Sequence, residues 1–595
     1  MNDKKIVYCD ILNIALLICV VFFGMYYEFC GAVFTPVLAG ICFWYRRRHR
    51  GMKWKATLGS GMCAVFLLGS VTAIFLAVDV GMAFPGIARV LWIVPFLLLY
   101  QQQNCEQKRR FFRAIPKIAA AITVIGLAGV VIPSLKEVFW VNHRLGGTFQ
   151  YPNTFAVFLL TGVIILLYEE SGGMGQALCF GILCIGIAAS GSRIAMVMSV
   201  LVIGTILVTK RRWRLCGVFL ALAAVGAIYI FAAGDTETIG RILRLSLSES
   251  TFTGRLLYAY DALGLLARHP FGMGYMGYYY AQSMIQTGVY TVRYVHNDLL
   301  QIGLDIGWIP MLAYVWAVCR CVLGRELSAE KKWIVLTVFM HGLFDFDLSY
   351  TVMLCLMLVI MNDVSFGKSG SWLSEDFPVK DKTLSVVCAA MAGLCIYIAV
   401  PAMAEYCSDY ELAAKVYPWH TQANLHLLSE SDEIDEVERL ADQILKQNDT
   451  CALACYGKAY AAYCKDDYRE MISFQKKCIA RDYFNYEQYV NYAAMLCDGI
   501  RYADDETVRQ MCRKELKQIP ALLEQAKQKL SYLGARIADQ PVLEVDGRLE
   551  MLMEEGIAGH RSETRFIHLR GVSGEQEPRK ERFQIYRSNR VHTAD

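Results

Sequence analysis

Between Ile6 and Met403 the chain alternates long apolar runs with short polar joints. In hydrocarbon every backbone N–H and C=O must be satisfied within its own segment, so each run of about 20 mainly apolar residues reads as a spanning helix. The pattern predicts about thirteen such helices, near 6–27, 30–45, 56–78, 86–101, 115–133, 153–168, 176–190, 194–209, 215–233, 299–323, 333–345, 348–361 and 384–403. The expected fold class is all-α, a polytopic transmembrane helical bundle over residues 1–403. Met1–Lys5 is basic in the manner of a signal peptide, but the run Ile6–Phe29 is too long and meets no small-residue cleavage site, so it reads as a retained first span.

Beyond Met403 the apolar density falls and helical periodicity with charged faces takes over. Cys451–Cys464 and Asp467–Arg481 predict a helix pair. Ala452, Tyr456, Gly457 and Tyr460, then Tyr468, Met471, Phe474 and Cys478, resemble the small and aromatic positions of a tetratricopeptide repeat, with no second clean copy. Residues 404–447 and 484–498 are expected to pack as flanking helices. Residues 404–555 thus read as a soluble helical region, and 556–595, polar and charged, as a disordered tail.

Charge sets an orientation. Arg46–Arg48 and Arg50, then Lys108–Arg110 and Arg113, Lys210–Arg212 and Arg214, and Arg325, Lys331 and Lys332 fall in alternate loops, as expected for cytoplasmic joints with the N-terminus inside. The intervening loops at 79–85 and 342–350 carry no Lys or Arg, and 134–150 carries only Lys136 and Arg144. The long loop 234–298 and the region after Met403 then fall outside. Seven cysteines after Met403, from Cys407 to Cys512, sit uneasily in an oxidising compartment; were 384–403 not a span, that region would be cytoplasmic.

Composition sharpens this reading only a little. The 595 residues are 55% hydrophobic and 19% charged, with a mean hydropathy of +0.34, so lipid is the natural solvent. A net charge of +4 gives no support to nucleic-acid binding. The 21 cysteines lack metal-ligand spacing and read as small hydrophobes. No metal or cofactor is expected.

Four stretches, in order along the chain, resemble the O-antigen ligase superfamily. Gly147-Thr148-Phe149-Gln150-Tyr151-Pro152-Asn153-Thr154-Phe155-Ala156 is similar to that family's G-T-F-x-N-P-N-x-F-A segment, with Tyr151 in place of an Asn. Gly191-Ser192-Arg193 matches its Ser-Arg pair at a helix junction. Arg255, then His269-Pro270-Phe271-Gly272-Met273-Gly274, then His296-Asn297 resemble R…hP-x-G-x-G…HN in a large outside loop. Gly307 keeps the ligases' spacing from His296, whereas Pro310 departs from it. His341-Gly342-Leu343-Phe344-Asp345-Phe346-Asp347 resembles the late H-x-L-F-D-F segment.

The resemblance implies transfer of a glycan from an undecaprenyl-diphosphate carrier to a hydroxyl on a glycan or lipid acceptor, at the membrane and outside the cytoplasm. A lipid diphosphate calls for fixed cations at the interface, and guanidinium forks fit phosphate oxygens in pairs. Arg193 and Arg255 are the candidates for that work, with Arg144, Asn153 and Arg241 as further donor contacts. His296 is the candidate general base, since a neutral imidazole suits that task near pH 7, and Asn297 would orient it or the sugar.

Plainer readings stand beside these. Arg193 is as well explained by an interfacial arginine at a helix end, and Arg255 by a loop ion pair. His296 alone reads as a hydrogen-bonded surface histidine. His341 and Asp345 read as residues that fix a tight helix turn, and Gly272 and Gly274 as turn glycines. Tyr275, Tyr278, Tyr279 and Tyr280 suit either stacking on sugars or an interfacial belt. The helical region after Met403 would recruit a protein partner or pack over the site. A transporter or flippase of lipid-linked saccharides, and a non-enzymatic assembly scaffold, remain the alternatives of other classes; the spans show neither clear internal repeats nor midspan charges of the transporter kind.

Overall fold

The computed structural model describes residues 3–49, 51–170, 173–232, 250–365, 376–537 and 540–558. They are overwhelmingly helical, with two short two-stranded pairings. Among the described residues four helices are long and apolar enough to cross a membrane: Glu28–His49, Val80–Gln101, Cys105–Ala128 and Asp381–Tyr406. Seven shorter apolar helices accompany them among the described residues. The chain divides into two compact units, one of Met1–Thr72, Phe84–Ser246 and His296–Ala402, the other of Ala73–Ala83, Leu247–Val295 and Met403–Asp595.

The first unit is built around helix Pro152–Tyr168, whose residues from Pro152 to Leu167 are all buried. Such a helix is apolar on every side because it has neighbours on every side. Those neighbours are Cys105–Ala128, Met174–Ala189, Arg193–Thr209 and Ala329–Gly342. Small residues admit them: a Cβ on Gly162 would stand 3.2 Å from both Leu183 and Pro116, and one on Gly186 would stand 2.7 Å from Leu159 and Thr123. Thr351–Met361 is almost as enclosed. Helix Asp381–Tyr406 is the opposite, with Val386, Ile396, Tyr397 and Val400 exposed. An apolar strip of that kind is costly in water and stable against lipid tails.

Two predicted runs break at specific residues. The run 299–323 divides into Asp298–Ile306 and Trp308–Leu323 at Gly307, whose φ of +97° ends the first helix. The first span stops at Val21, where Phe23, Gly24 and Met25 form a 3-10 turn with positive φ.

Basic residues gather at one end of the bundle. Lys108, at the start of Cys105–Ala128, and Lys331, near the start of Ala329–Gly342, both pair with Asp363 beyond the end of Thr351–Met361. Arg113 lies 3.3 Å from Glu169, and Arg212 donates to the Glu169 carbonyl at 2.5 Å. The opposite helix ends carry the candidate site.

The second unit is a helical array in which Thr421–Glu430, Ile434–Gln447, Ala452–Cys464, Tyr468–Arg481, Tyr486–Tyr502 and Glu506–Gln528 follow one another. The predicted pair 451–464 and 467–481 is present, and Gly457 lies close under Leu428, Val437 and Ala441. Helix Gly547–Ala558 runs past residue 556; the rest of the predicted tail lies outside the described residues. This array packs with Ala73–Ala83 and with the loop 250–295. Asn448 donates to Asp79 at 2.8 Å, Tyr417 donates to the Gly81 carbonyl at 2.7 Å, and Tyr483 donates to the Gln286 carbonyl. Among the described residues the cysteines stand outside any disulfide.

Candidate functional site

Local backbone rules place the first site residues. Trp140–Val141 and Arg144–Leu145 form a hairpin across Asn142 and His143, both with positive φ, as a two-residue type I′ turn requires. Trp140 anchors it by donating to the Gly126 carbonyl at 2.8 Å. Gly147 follows with φ +59°, where a Cβ would stand 2.5 Å from the Phe155 ring. Pro152 then opens helix Pro152–Tyr168, leaving Tyr151 just before it and Asn153 in its first turn.

These residues converge on Asp345, whose side chain is only 1% exposed. A buried carboxylate is tolerated only with donors around it. Tyr151 donates its hydroxyl to Oδ1 at 2.7 Å, Asn153 donates Nδ2 to Oδ2 at 2.8 Å, and Phe346 donates its backbone N–H at 3.0 Å. His296 Nδ1 stands 3.4 Å from Oδ1, longer than a formed hydrogen bond. Asn153 in turn accepts from Arg144 Nη2 at 2.6 Å, and Arg144 Nε donates to the Ser190 carbonyl at 2.8 Å. One polar chain therefore runs His296–Asp345–Asn153–Arg144–Ser190.

Aromatic rings wall this chain on the apolar side. Phe346 meets the His296 ring edge-on at 4.9 Å and lies 4.7 Å from Tyr151, which stacks on Tyr350 at 5.9 Å. Beneath it, the turn 343–350 is braced independently. His341 Nδ1 is 2.6 Å from Asp347, which also accepts from Thr154 at 2.7 Å, and Asp298 accepts from the Leu348 N–H at 3.0 Å.

His296 is held in an unusual conformation, with φ +54°. For a residue other than glycine this costs about 1–3 kcal/mol, and such strain persists where surrounding structure over-determines it. Asn297 supplies that constraint. Its Oδ1 caps helix Asp298–Ile306 by accepting from Leu300 N–H at 2.9 Å, and its Nδ2 donates to the Leu343 carbonyl at 2.9 Å. Both ends of its amide are thus engaged in fixing His296 beside the Asp345 turn.

Arg193 is the first residue of helix Arg193–Thr209, after the buried Ser192. A cation at the positive end of a helix dipole is disfavoured by about 0.3–1 kcal/mol, while an anion there is welcome. Arg144 lies over the same junction, since a Cβ on Gly191 would stand 3.3 Å from its Nε. The first unit thus brings together Arg144, Asn153, His296 and Asn297 from the predicted residues, with Arg193 opening the helix after the Ser190–Gly191 junction that Arg144 covers. Arg255 belongs to the second unit, half-buried on helix Ser250–Arg268. Arg241 lies outside the described residues.

Three of the four clustered tyrosines differ from either reading offered by the sequence, while Tyr279 is half-buried. Tyr275, Tyr278 and Tyr280 are buried in the second unit, with Tyr278 fully enclosed. Their rings serve as core. Gly272 and Gly274 do supply turns, with φ +89° and +77°. Among the described residues no group of His, Cys, Asp and Glu is arranged to hold a metal ion.

The sequence reading missed the part of Asp345 as the hub and of Tyr151 as its donor. Both lie in motif segments, but nothing in their local spacing says that residues almost two hundred positions apart share one carboxylate. No curated protein matches the chain. Residues 178–315, which contain Arg193, Arg255, His296 and Asn297 and exclude Arg144, Asn153 and Asp345, match the family described as O-Antigen ligase, and this match supports the O-antigen ligase superfamily.

Proposed function

We propose that this protein is a membrane glycosyltransferase of the O-antigen ligase type, which moves or polymerises a glycan from an undecaprenyl-diphosphate carrier onto a hydroxyl acceptor in cell-surface polysaccharide biosynthesis. The observation that carries the reading is the polar chain from His296 through Asp345 and Asn153 to Arg144, set at helix ends beside the Arg193 junction. The acceptor oxygen attacks the anomeric carbon of the donor sugar, the bond from that carbon to the phosphate oxygen breaks, and the electron pair leaves with undecaprenyl diphosphate. Arg193 and Arg144 stabilise the charge that builds on the departing diphosphate. With Nδ1 turned to Asp345, His296 takes the acceptor proton through Nε2, and Asp345 stabilises the resulting imidazolium. Arg255 and Arg241 are assigned to the same donor on the strength of the motif and the family match.

The site is placed on the extracytoplasmic side of the cell membrane. The short loops 134–150 and 342–350 that carry part of it hold only Lys136 and Arg144 between them, while the Lys108, Lys331 and Arg212 ends are basic. The region after Met403 goes with loop 250–295, to which it is hydrogen-bonded. Burial pushes the Cys455 thiol up and the Cys512 thiol to about 11, which keeps these two unreactive on that side, whereas Cys407 is exposed. The array itself is proposed as a degenerate tetratricopeptide-like surface for a protein partner.

The deciding experiment incubates purified protein with an undecaprenyl-diphosphate-linked oligosaccharide and a hydroxyl acceptor, following glycan transfer and release of undecaprenyl diphosphate. Transfer by the wild type, lost in His296→Ala, supports the reading. Binding of the donor with no transfer under any acceptor would overturn it. In a deletion strain, shortened but attached chains identify a polymerase, and free lipid-linked polymer identifies a ligase.

A further inference from the structure

The second unit contains a buried carboxylate that none of the proposed chemistry uses. Asp261, on helix Ser250–Arg268, is 5% exposed. It accepts from the Thr287 backbone N–H at 2.9 Å, from the Thr287 hydroxyl at 2.8 Å and from the Tyr290 hydroxyl at 2.9 Å. Thr287 is also the docking point of the distant C-terminal segment. Its hydroxyl lies 2.9 Å from that of Ser531, and its carbonyl accepts from the Ser531 N–H at 2.9 Å. Gly534 packs so closely on the Thr287 carbonyl that a Cβ has no room there, and a Cβ on Gly288 would stand 2.6 Å from Gly534 Cα and 2.9 Å from Leu257. A chain of contacts therefore leads from residues 531–534 through Thr287 to the helix that carries Arg255.

We propose that Ser531–Gly534 is a strap which, through Thr287 and Asp261, holds the helix bearing Arg255 in its working position, so that the C-terminal helical region is a positioning part of the transferase. This inference rests on the assignment of Arg255 to the donor. The physical reason is economy of freedom: the loop 269–295 is long and short of regular structure, and a catalytic or phosphate-binding side chain must be placed within a fraction of an ångström. Asp261 ties the loop to its own helix, and the strap ties the loop to a packed helical array. Neither residue is offered as touching substrate.

The test uses the full-length protein in nanodiscs. Thr287→Val keeps the volume and removes the hydroxyl shared by Asp261 and Ser531; Ser531→Ala removes the other end of the bridge. Each is expected to retain the wild-type melting temperature within a few degrees, to speed amide hydrogen exchange across residues 250–268, and to lower transfer from the lipid-linked donor by about 10- to 100-fold, the scale of a small misplacement. In an Arg255→Lys background, Thr287→Val is expected to add little further loss, because the strap acts through that arginine. Unchanged exchange across 250–268, or losses that simply multiply in the double variant, would overturn the strap. A wild type that transfers, with Thr287→Val equal to it, also overturns the strap and leaves the transferase reading intact. A wild type that transfers nothing counts against the transferase reading instead.

Discussion

His296 Nδ1 and Asp345 Oδ1 stand 3.4 Å apart although 48 intervening positions and three helices separate them, and Asp345 is also the acceptor for Tyr151 and Asn153. A carboxylate facing one ring nitrogen leaves the other for a substrate. This pairing gives the first prediction. Asp345→Asn should keep the fold, because the amide retains one acceptor oxygen, and should lower turnover by about 100-fold or more. His296→Ala should then add little in the Asp345→Asn background, since residues acting as a unit are not additive. Steady-state kinetics of the single and double variants decide this, and wild-type turnover in Asp345→Asn would remove the pair from the chemistry.

His296→Ala alone separates catalysis from binding. Donor affinity should stay near the wild-type value while turnover falls by about 100- to 10,000-fold, the usual contribution of positioned proton transfer. Donor binding measured beside single-turnover transfer reads both quantities. A parallel fall in affinity would mean that His296 binds phosphate as an imidazolium.

Arg193→Ala and Arg144→Ala should each abolish transfer with expression unaffected, and lysine should rescue Arg193 in part, since an ammonium reproduces the charge and not the fork. Arg144 should be rescued less well, because its Nε and Nη2 hold Ser190 and Asn153 simultaneously. Equal rescue at both positions would count against the structural part assigned to Arg144.

At the opposite helix ends, burial raises the Asp363 carboxyl, but Lys331 and Lys108 outweigh it and hold it below its ordinary value of 3.8. A folded-state value below the unfolded one contributes stability that is present above pH 3.8 and is lost as the pH falls through it toward the folded value. Asp363→Asn should therefore destabilise the protein by about 1–3 kcal/mol at pH 7. The gap from wild type should narrow only below about pH 4. Thermal unfolding across pH reads this, and a gap already closing at pH 6 would show that the two lysines are not what holds Asp363.

Orientation is tested at Ser283, in the loop carrying Gln282–Met284. In a cysteine-depleted background Ser283→Cys should react with a membrane-impermeant thiol reagent added to intact cells, whereas Arg212→Cys should react only after permeabilisation. The reverse pattern would invert the topology.

Much of this was legible in the chain because lipid imposes a simple rule on apolar runs, and because a Gly-Ser-Arg junction or a His-Asn pair before a span is a local signal. What stayed hidden is non-local. Asp345 beside Gly342 and Phe344 has the chemistry of a turn, and only the fold brings Tyr151 and Asn153 to it. The tyrosines at 275–280 look alike in sequence whether they face lipid, sugar or core, and burial alone separates these outcomes. Gly307 was visible within its run, but its positive φ, which divides the run into two helices, follows from packing.

The dispersal of the Asp345 cluster along the chain bears on biogenesis. Helices enter the membrane roughly in order of synthesis, so Arg144 and Asn153 are in place long before the hairpin that carries Asp345 arrives. Until the turn between Ala329–Gly342 and Thr351–Met361 is threaded, His296 lacks its carboxylate and Asn153 lacks its acceptor. On the proposed function, a chain cut short by a premature stop before Asp345 should transfer no glycan, because its cluster is completed only by that late hairpin.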